Sequence, residues 1–365
     1  MPLYLKSIGF TVVFIGLLEG FAEAIAGLSK GYFGKLSDNS GRRAMFIQSG
    51  YLLSALSKPM LAFLINPIWI FLSRTMDRFG KGIRTSARDA LLADESSPET
   101  RGKVFGFHRG MDTLGAVIGP VAALIYLHFN PGNYSALFII AFFPAIAGVA
   151  MTLLLSDKKK SEVSPIQKTN LFSFLEYRKT ASADYKKAVT GFLIFTLFNS
   201  SDVFLLLMVK QTGYADNDVI MLYIFYNLVY ALSSLPMGTL ADKLGMKKIY
   251  ITGLLIFSAV YASFVFKPGL VFLYAVFFAY GIYAASTEGI SKAWITNISE
   301  KKDTATAIGF YTGLNSIFAI ASSLIAGLIW YNFSPEAMFT FSSAGVLAVV
   351  CYFLFFIKRK VQSSR

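Results

Sequence analysis

Stretches of about twenty apolar residues recur along this chain between short polar breaks, and twenty is roughly what an α-helix needs to cross a bilayer. Eleven such stretches are read at 9–34, 43–64, 68–90, 104–126, 134–155, 188–210, 217–238, 247–266, 270–292, 305–330 and 335–357. Only helices and closed barrels satisfy the backbone in lipid, and runs of this length specify helices. Charged residues make up only 15% of the chain, against about 25% in soluble domains. The expected class is an all-α membrane protein.

Charge orients it. The breaks at 35–43, 81–103, 156–187, 241–248 and 292–302, with the tail after Ile357, hold most of the 34 Lys and Arg. The opposite breaks hold only Lys6, Lys210 and Lys267. Basic loops stay in the cytoplasm, so the C-terminus is expected there, Met1 outside, and the protein in the plasma (inner) membrane. The net charge of +13 then reflects membrane orientation and calls for no nucleic-acid partner. One cysteine, Cys351, and two histidines leave no intrachain disulfide and no zinc site of the usual kind. No metal or cofactor is expected. A membrane-embedded group transferase would need an Asp-rich metal motif or paired His, and neither occurs.

An internal repeat sets the architecture. Gly34, Leu36, Asp38, Gly41, Arg42 and Arg43 recur as Gly238, Leu240, Asp242, Gly245, Met246 and Lys247, an offset of 204. Gly106, Phe107, Gly110 and Asp112 recur as Gly309, Phe310, Gly313 and Asn315, an offset of 203. Two motifs in one order at nearly one offset imply two related bundles, as in many secondary transporters. The expected domains are 1–155, a cytoplasmic linker at 156–187, and 188–365. The offset leaves the 188–210 span without a counterpart, so the first bundle reads as one helix short of six. The expectation is a reading frame that starts upstream, or a shortened chain.

The segments Gly34–Arg43 and Gly238–Lys247 resemble the loop motif G-x-L-[AS]-D-[RK]-x-G-[RK]-[RK] of the major facilitator superfamily, and the likeness runs over essentially the whole chain. Arg74, Gly80 and Gly82 resemble that family's R-x-x-Q-G-x-G-x-G helix motif, with Asp77 and Arg78 at the Gln and Gly positions. Gly115, Gly119 and Pro120 resemble the G-x-x-x-G-P helix-packing segment of exporters of the antiporter type. The resemblance implies a twelve-helix transporter fold, here with eleven, in which Asp38 and Asp242 act as cytoplasmic gate latches.

The third stretch is the most charged. Arg74, Asp77, Arg78, Lys81, Arg84 and Arg88 follow three- and four-residue spacings and so form one stripe on a helix. At 1.5 Å per residue Arg74 lies roughly 10 Å in and Arg78 near the midplane. A charge there costs roughly 2.5–3.5 kcal/mol on insertion scales, so it faces protein or a water-filled cavity. The stripe reads as a cationic wall for an anion, with Asn199, Asp202 and Glu288 as further substrate-lining residues. Glu19 and Glu23, one turn apart, are the expected proton-coupling pair. Arg109 and Asp112 are expected to lock the loop motif. Leu171–Leu175 is expected as a short helix lying on the membrane.

The favoured function is a monomeric secondary active transporter of a small anionic solute, working by alternating access as proton-coupled efflux. Uptake of an anionic nutrient, and a transporter-like sensor that moves nothing, are the alternatives.

Overall fold

The computed structural model describes residues 4–5, 8–64, 66–157, 170–266 and 269–357. The long helices are α1 (Val12–Ser40), α2 (Arg43–Phe63), α3 (Pro67–Asp94), α4 (Arg101–Phe129), α5 (Tyr134–Thr152), α6 (Ala183–Phe198), α7 (Val203–Gln211), α8 (Asp216–Leu244), α9 (Met246–Phe264), α10 (Leu270–Ile298), α11 (Thr304–Asn332) and α12 (Pro335–Phe356). Each apolar stretch read from the sequence has its helix, and 188–210 has two. Seven of the helical spans among the described residues are long and apolar enough to cross a membrane. Large apolar side chains such as Phe143, Tyr331 and Phe355 are exposed, which suits lipid as the surrounding solvent.

Local chemistry sets the boundaries. Asn66 accepts from the Ile68 amide at 2.9 Å ahead of Pro67, and Ser334 caps α12 ahead of Pro335. Both prolines therefore stand where no amide proton is needed. Gly41 and Gly245, counterparts in the repeat, end α1 and α8 with φ of 66° and 99°. A side chain is disfavoured there by about 1–2 kcal/mol.

The chain forms two compact units. The first comprises Met1–Asp94, Gly119–Thr180 and Glu300–Ile317. Its helices α1, α2 and α3 pack through small residues: a Cβ on Gly80 would lie 2.6 Å from the Gly50 carbonyl oxygen, and one on Gly82 would lie 2.3 Å from Ser29 Cβ. Close backbone approach through such residues is the usual way helices associate in lipid. The second unit comprises Glu95–Ile118, Ala181–Ser299 and Phe318–Arg365. Its core is aromatic, with Phe192 of α6 centred 4.8 Å from Tyr250 of α9, 5.4 Å from Trp294 of α10 and 5.6 Å from Phe353 of α12.

Two details depart from expectation. The sixth stretch is not one helix: α6 ends at Phe198, and Asp202 is the N-cap residue of α7. Asn, Ser and Asp side chains compete with the backbone for its hydrogen bonds, and four of them in a row break the helix. The linker segment 171–175 is not a regular helix. Ser173–Glu176 makes a single 3-10 turn, continued by a helical turn at Tyr177–Thr180. It inserts Phe174, which is buried, against Gly31 of α1. Lys35 donates to the Ser173 carbonyl at 2.9 Å, and burial pushes the Tyr177 hydroxyl pKa upward. The linker residues 158–169 lie outside the described residues.

Candidate functional site

The charged stripe of α3 faces acids. Arg74 grips Glu19 of α1 with two hydrogen bonds, Nε to Oε1 at 2.8 Å and Nη2 to Oε2 at 2.7 Å. Its third nitrogen reaches Asp77 at 3.4 Å, and Asp77 accepts from Lys58 of α2 at 2.9 Å. Glu23 lies 3.8 Å from Lys30, whose ammonium also donates to Ser316 at 3.1 Å. With Arg78, which stands between Glu19 and Glu23, three carboxylates and four cations form one network in the first unit. A bidentate guanidinium–carboxylate pair is strong and directional, and pairing offsets the cost of placing charge in lipid.

Arg78 is held differently. Its nitrogens stand 3.6 Å from Glu19 and 3.7 Å from Glu23, beyond hydrogen-bond length. Its Nε is buried and donates to nothing. A guanidinium has five donors to place, so Arg78 is the member of the network with most to offer an incoming oxyanion. The sequence reading assigned Glu19 and Glu23 to proton coupling and the arginines to substrate. The structure brings both sets into a single cluster.

The second unit holds another cluster. Asp202, at the break between α6 and α7, accepts from the Tyr226 hydroxyl of α8 at 2.9 Å and the Tyr280 hydroxyl of α10 at 2.6 Å. Ser200 shares a hydrogen bond of 3.2 Å with Tyr261 of α9. Asn199 closes α6 through its backbone amide. Arg109 does not lock the loop motif as expected. It donates to the Tyr230 hydroxyl, stands 3.6 Å from Glu288 and 3.3 Å from Asp112. The tyrosines were not singled out from the sequence, because nothing local distinguishes them from the other aromatic residues of these helices.

The loop motifs do the same thing twice. Asp38 accepts from the Ala305 amide at 3.2 Å and from the Thr306 amide and hydroxyl at 2.6 and 2.7 Å. It thereby caps the first turn of α11, where amides otherwise lack partners and the helix dipole favours negative charge. Asp242 accepts from the Gly102 and Lys103 amides at 2.8 and 2.7 Å, capping α4. The offset of 203 maps Gly102 onto Ala305 and Lys103 onto Thr306, so the bonds themselves repeat. Gly34 and Gly238 permit the approach: a Cβ would lie 2.4 Å from the Ala305 oxygen or 2.1 Å from that of Gly102.

The basic positions of the two motifs diverge. Arg43 bonds Asp38 at 3.0 Å and Asp94 at 2.6 Å. Its counterpart Lys247 donates instead to the Ile357 carbonyl beyond the end of α12. Arg42 is exposed. Gly115 and Gly119, expected to pack helices together, have, among the described residues, nothing within 4 Å of an added Cβ. Together with Pro120 they lie on an exposed stretch of α4.

The family model of the Major Facilitator Superfamily matches residues 1–215 and 188–365. The chain belongs to that superfamily. It is therefore a multi-pass membrane transporter and not an enzyme. An uncharacterized MFS-type transporter of Methanocaldococcus jannaschii is 33% identical over 359 residues, spanning 96% of this chain and 87% of the relative. The quinolone resistance protein NorA of Staphylococcus aureus is 24% identical, spanning 90% of this chain and 83% of NorA. Among solved structures, the human organic anion transporter MFSD10 (TETRAN) superposes with a TM-score of 0.80 at 16% identity, covering 96% of this chain and 88% of that one. FucP in its outward conformation superposes at 0.76 and 12% identity, covering 99% and 94%. At such identities the likeness is one of fold.

Proposed function

We propose that this transporter exports a small carboxylate-bearing anion by alternating access, driven by protons, with Arg78 as the cation that holds the substrate. The observation that carries the reading is the state of Arg78. It is surrounded by carboxylates yet bonded closely to none, so a substrate carboxylate can replace Glu19 and Glu23 without breaking a short hydrogen bond. Export is favoured by a relative, since the multi-drug resistance efflux pump PmrA homolog of Lactococcus lactis, 23% identical over 348 residues, carries efflux in its name. In this reading Asp38 and Asp242 steady one conformation of the cycle. The basic loops and C-terminus are cytoplasmic, and the plasma membrane is the site of action.

The test is counterflow in proteoliposomes with radiolabelled mono-, di- and tricarboxylates. Arg78→Ala should abolish counterflow of the transported acid at normal membrane insertion. Arg78→Lys should rescue it poorly, because an ammonium cannot grip a carboxylate with two parallel bonds. Full counterflow in Arg78→Ala overturns the reading. Comparison of inside-out with right-side-out vesicles separates export from uptake.

A further inference from the structure

A proton-driven carrier needs a carboxyl group that gains and loses a proton without dismantling its surroundings. Five acids of the spanning helices fail that requirement. Glu19 is held by Arg74 at 2.7 Å, Asp77 by Lys58 at 2.9 Å, and Glu23 has Arg78 at 3.7 Å and Lys30 at 3.8 Å. Asp112 and Glu288 have Arg109 at 3.3 and 3.6 Å. Protonating any of these removes one half of an ion pair and weakens the compensation of its cation, which is costly away from water.

Asp202 differs in three ways. Among the described residues it has no Lys or Arg in ion-pair contact, and its two oxygens each accept from a tyrosine hydroxyl, Tyr280 and Tyr226. A hydroxyl accepts as readily as it donates. When Asp202 takes up a proton it can donate to one of the same two oxygens after that hydroxyl turns, so both charge states are hydrogen-bonded. Finally, Asp202 stands at a break, where the backbone of 199–202 is outside both helices. The N-terminus of α7 adjoins it, and that dipole steadies the charged form.

The titratable groups around it are few. From α8 come Tyr226 and, stacked on it with centroids 6.3 Å apart, Tyr230. From α9 comes Tyr261, and from α10 Tyr280 and Tyr283, whose rings are centred 5.2 Å apart. The charged groups that act on Asp202 from further off are Arg109 and Glu288, already paired with each other.

From this arrangement we infer that Asp202, and not the Glu19 and Glu23 pair, is the group that binds the coupling proton. The inference rests on the transport reading above. The proton adds to a carboxylate oxygen of Asp202 when it faces the acidic side and leaves the same atom when it faces the other; no other bond is made or broken. Glu19 and Glu23 are positioning residues for Arg74 and Arg78.

Infrared difference spectroscopy on the purified full chain in lipid, stepped through pH, tests this with the proton itself as probe. Carboxylic-acid C=O bands stand apart from carboxylate bands. The expected result is an acid band that titrates between mildly acid and mildly alkaline pH, disappears in Asp202→Asn and survives in Glu19→Gln and Glu23→Gln. Tyr280→Phe and Tyr226→Phe each remove one hydrogen bond to the carboxylate. Each should move the midpoint up by about one pH unit, which keeps the proposal testable if Asp202→Asn does not fold. A wild-type chain without such a band, a band that persists in Asp202→Asn, its loss in either glutamate variant, or an unmoved midpoint in both tyrosine variants overturns the inference. The titration needs neither substrate nor gradient. Its failure therefore removes Asp202 alone, whereas absence of carboxylate counterflow in wild-type protein removes the transport reading.

Discussion

Asp38→Asn and Asp242→Asn change the same atom at equivalent places in the repeat, yet the structure makes their costs unequal. Asp38 accepts four hydrogen bonds, from Arg43, the Ala305 amide, and the Thr306 amide and hydroxyl. Its Oδ1 serves Arg43 and Ala305, and its Oδ2 serves Thr306 twice. An asparagine keeps one oxygen and must turn its NH2 group toward two donors, whichever way it flips. Two bonds are lost and Arg43 loses a buried counter-charge, a loss of about 3–5 kcal/mol. Asp242 accepts two amide bonds and, among the described residues, has no arginine in ion-pair contact, so its replacement costs about 1–2 kcal/mol, the range of an ordinary N-cap. Hydrogen exchange at the capped amides reads the difference directly, because local opening governs their protection. At about 1.4 kcal/mol per factor of ten, the Ala305 and Thr306 amides should exchange more than a hundredfold faster in Asp38→Asn. The Gly102 and Lys103 amides should accelerate about tenfold in Asp242→Asn. Equal acceleration in the two variants, or none at Thr306, would refute the assignment of unequal caps.

Gly238→Ala would place a methyl group 2.1 Å from the Gly102 oxygen; it should destabilise this conformation by about 1–3 kcal/mol and lower the thermal midpoint of the purified protein. Lys58→Met leaves Asp77 with only the longer Arg74 contact, at a cost of about 3 kcal/mol, again measured as a lower midpoint; Asp77→Asn in the same chain should recover part of it. Phe174→Ala removes a buried ring from Gly31, a loss of about 3 kcal/mol, and should speed tryptic cleavage at the exposed Arg178 and Lys179 at least tenfold. Unchanged cleavage would show that Phe174 does not hold the segment.

The long helices were legible because their signal is local: twenty apolar residues in succession can do little else in a chain this poor in charge. Asp38 and Asp242 were legible as a pair because the repeat announces them, Gly34 and Asp38 reappearing as Gly238 and Asp242. What they hold was not legible. Thr306 is 268 residues from Asp38, and no periodicity connects them. The same applies to Arg109, whose partners Tyr230 and Glu288 lie on other helices. The stripe on α3 was visible as a pattern of charge, but the acids that answer Arg74 and Arg78, Glu19 and Glu23, sit on α1, and α2 adds a further cation, Lys58, against Asp77. The break before α7 did have a local signal in Asn199–Asp202. The stretch 188–210 nonetheless reads as one span from sequence, because its length argues for continuity more strongly than four residues argue against it.

The two copies of the loop motif also show why residue type alone does not give the strength of a cap. The first basic position after Gly41 is Arg42, which is exposed, and its counterpart is Met246. A basic residue there bonds no aspartate in the first copy, so its absence from the second costs Asp242 nothing. The next position decides the matter. Arg43 turns inward to join Asp38 and Asp94, whereas Lys247 reaches the carbonyls of Leu354 and Ile357. Cations are favoured at a helix C-terminus, so Lys247 has a stable place to go. It leaves Asp242 held by backbone amides alone. A Lys247→Arg exchange would therefore lengthen the side chain without redirecting it, and the Gly102 and Lys103 amides should keep the same exchange rates. Strengthening the second cap needs an acid at the position equivalent to Asp94, and neither Asn297 nor Ile298, which the repeat offsets of 203 and 204 place there, supplies one.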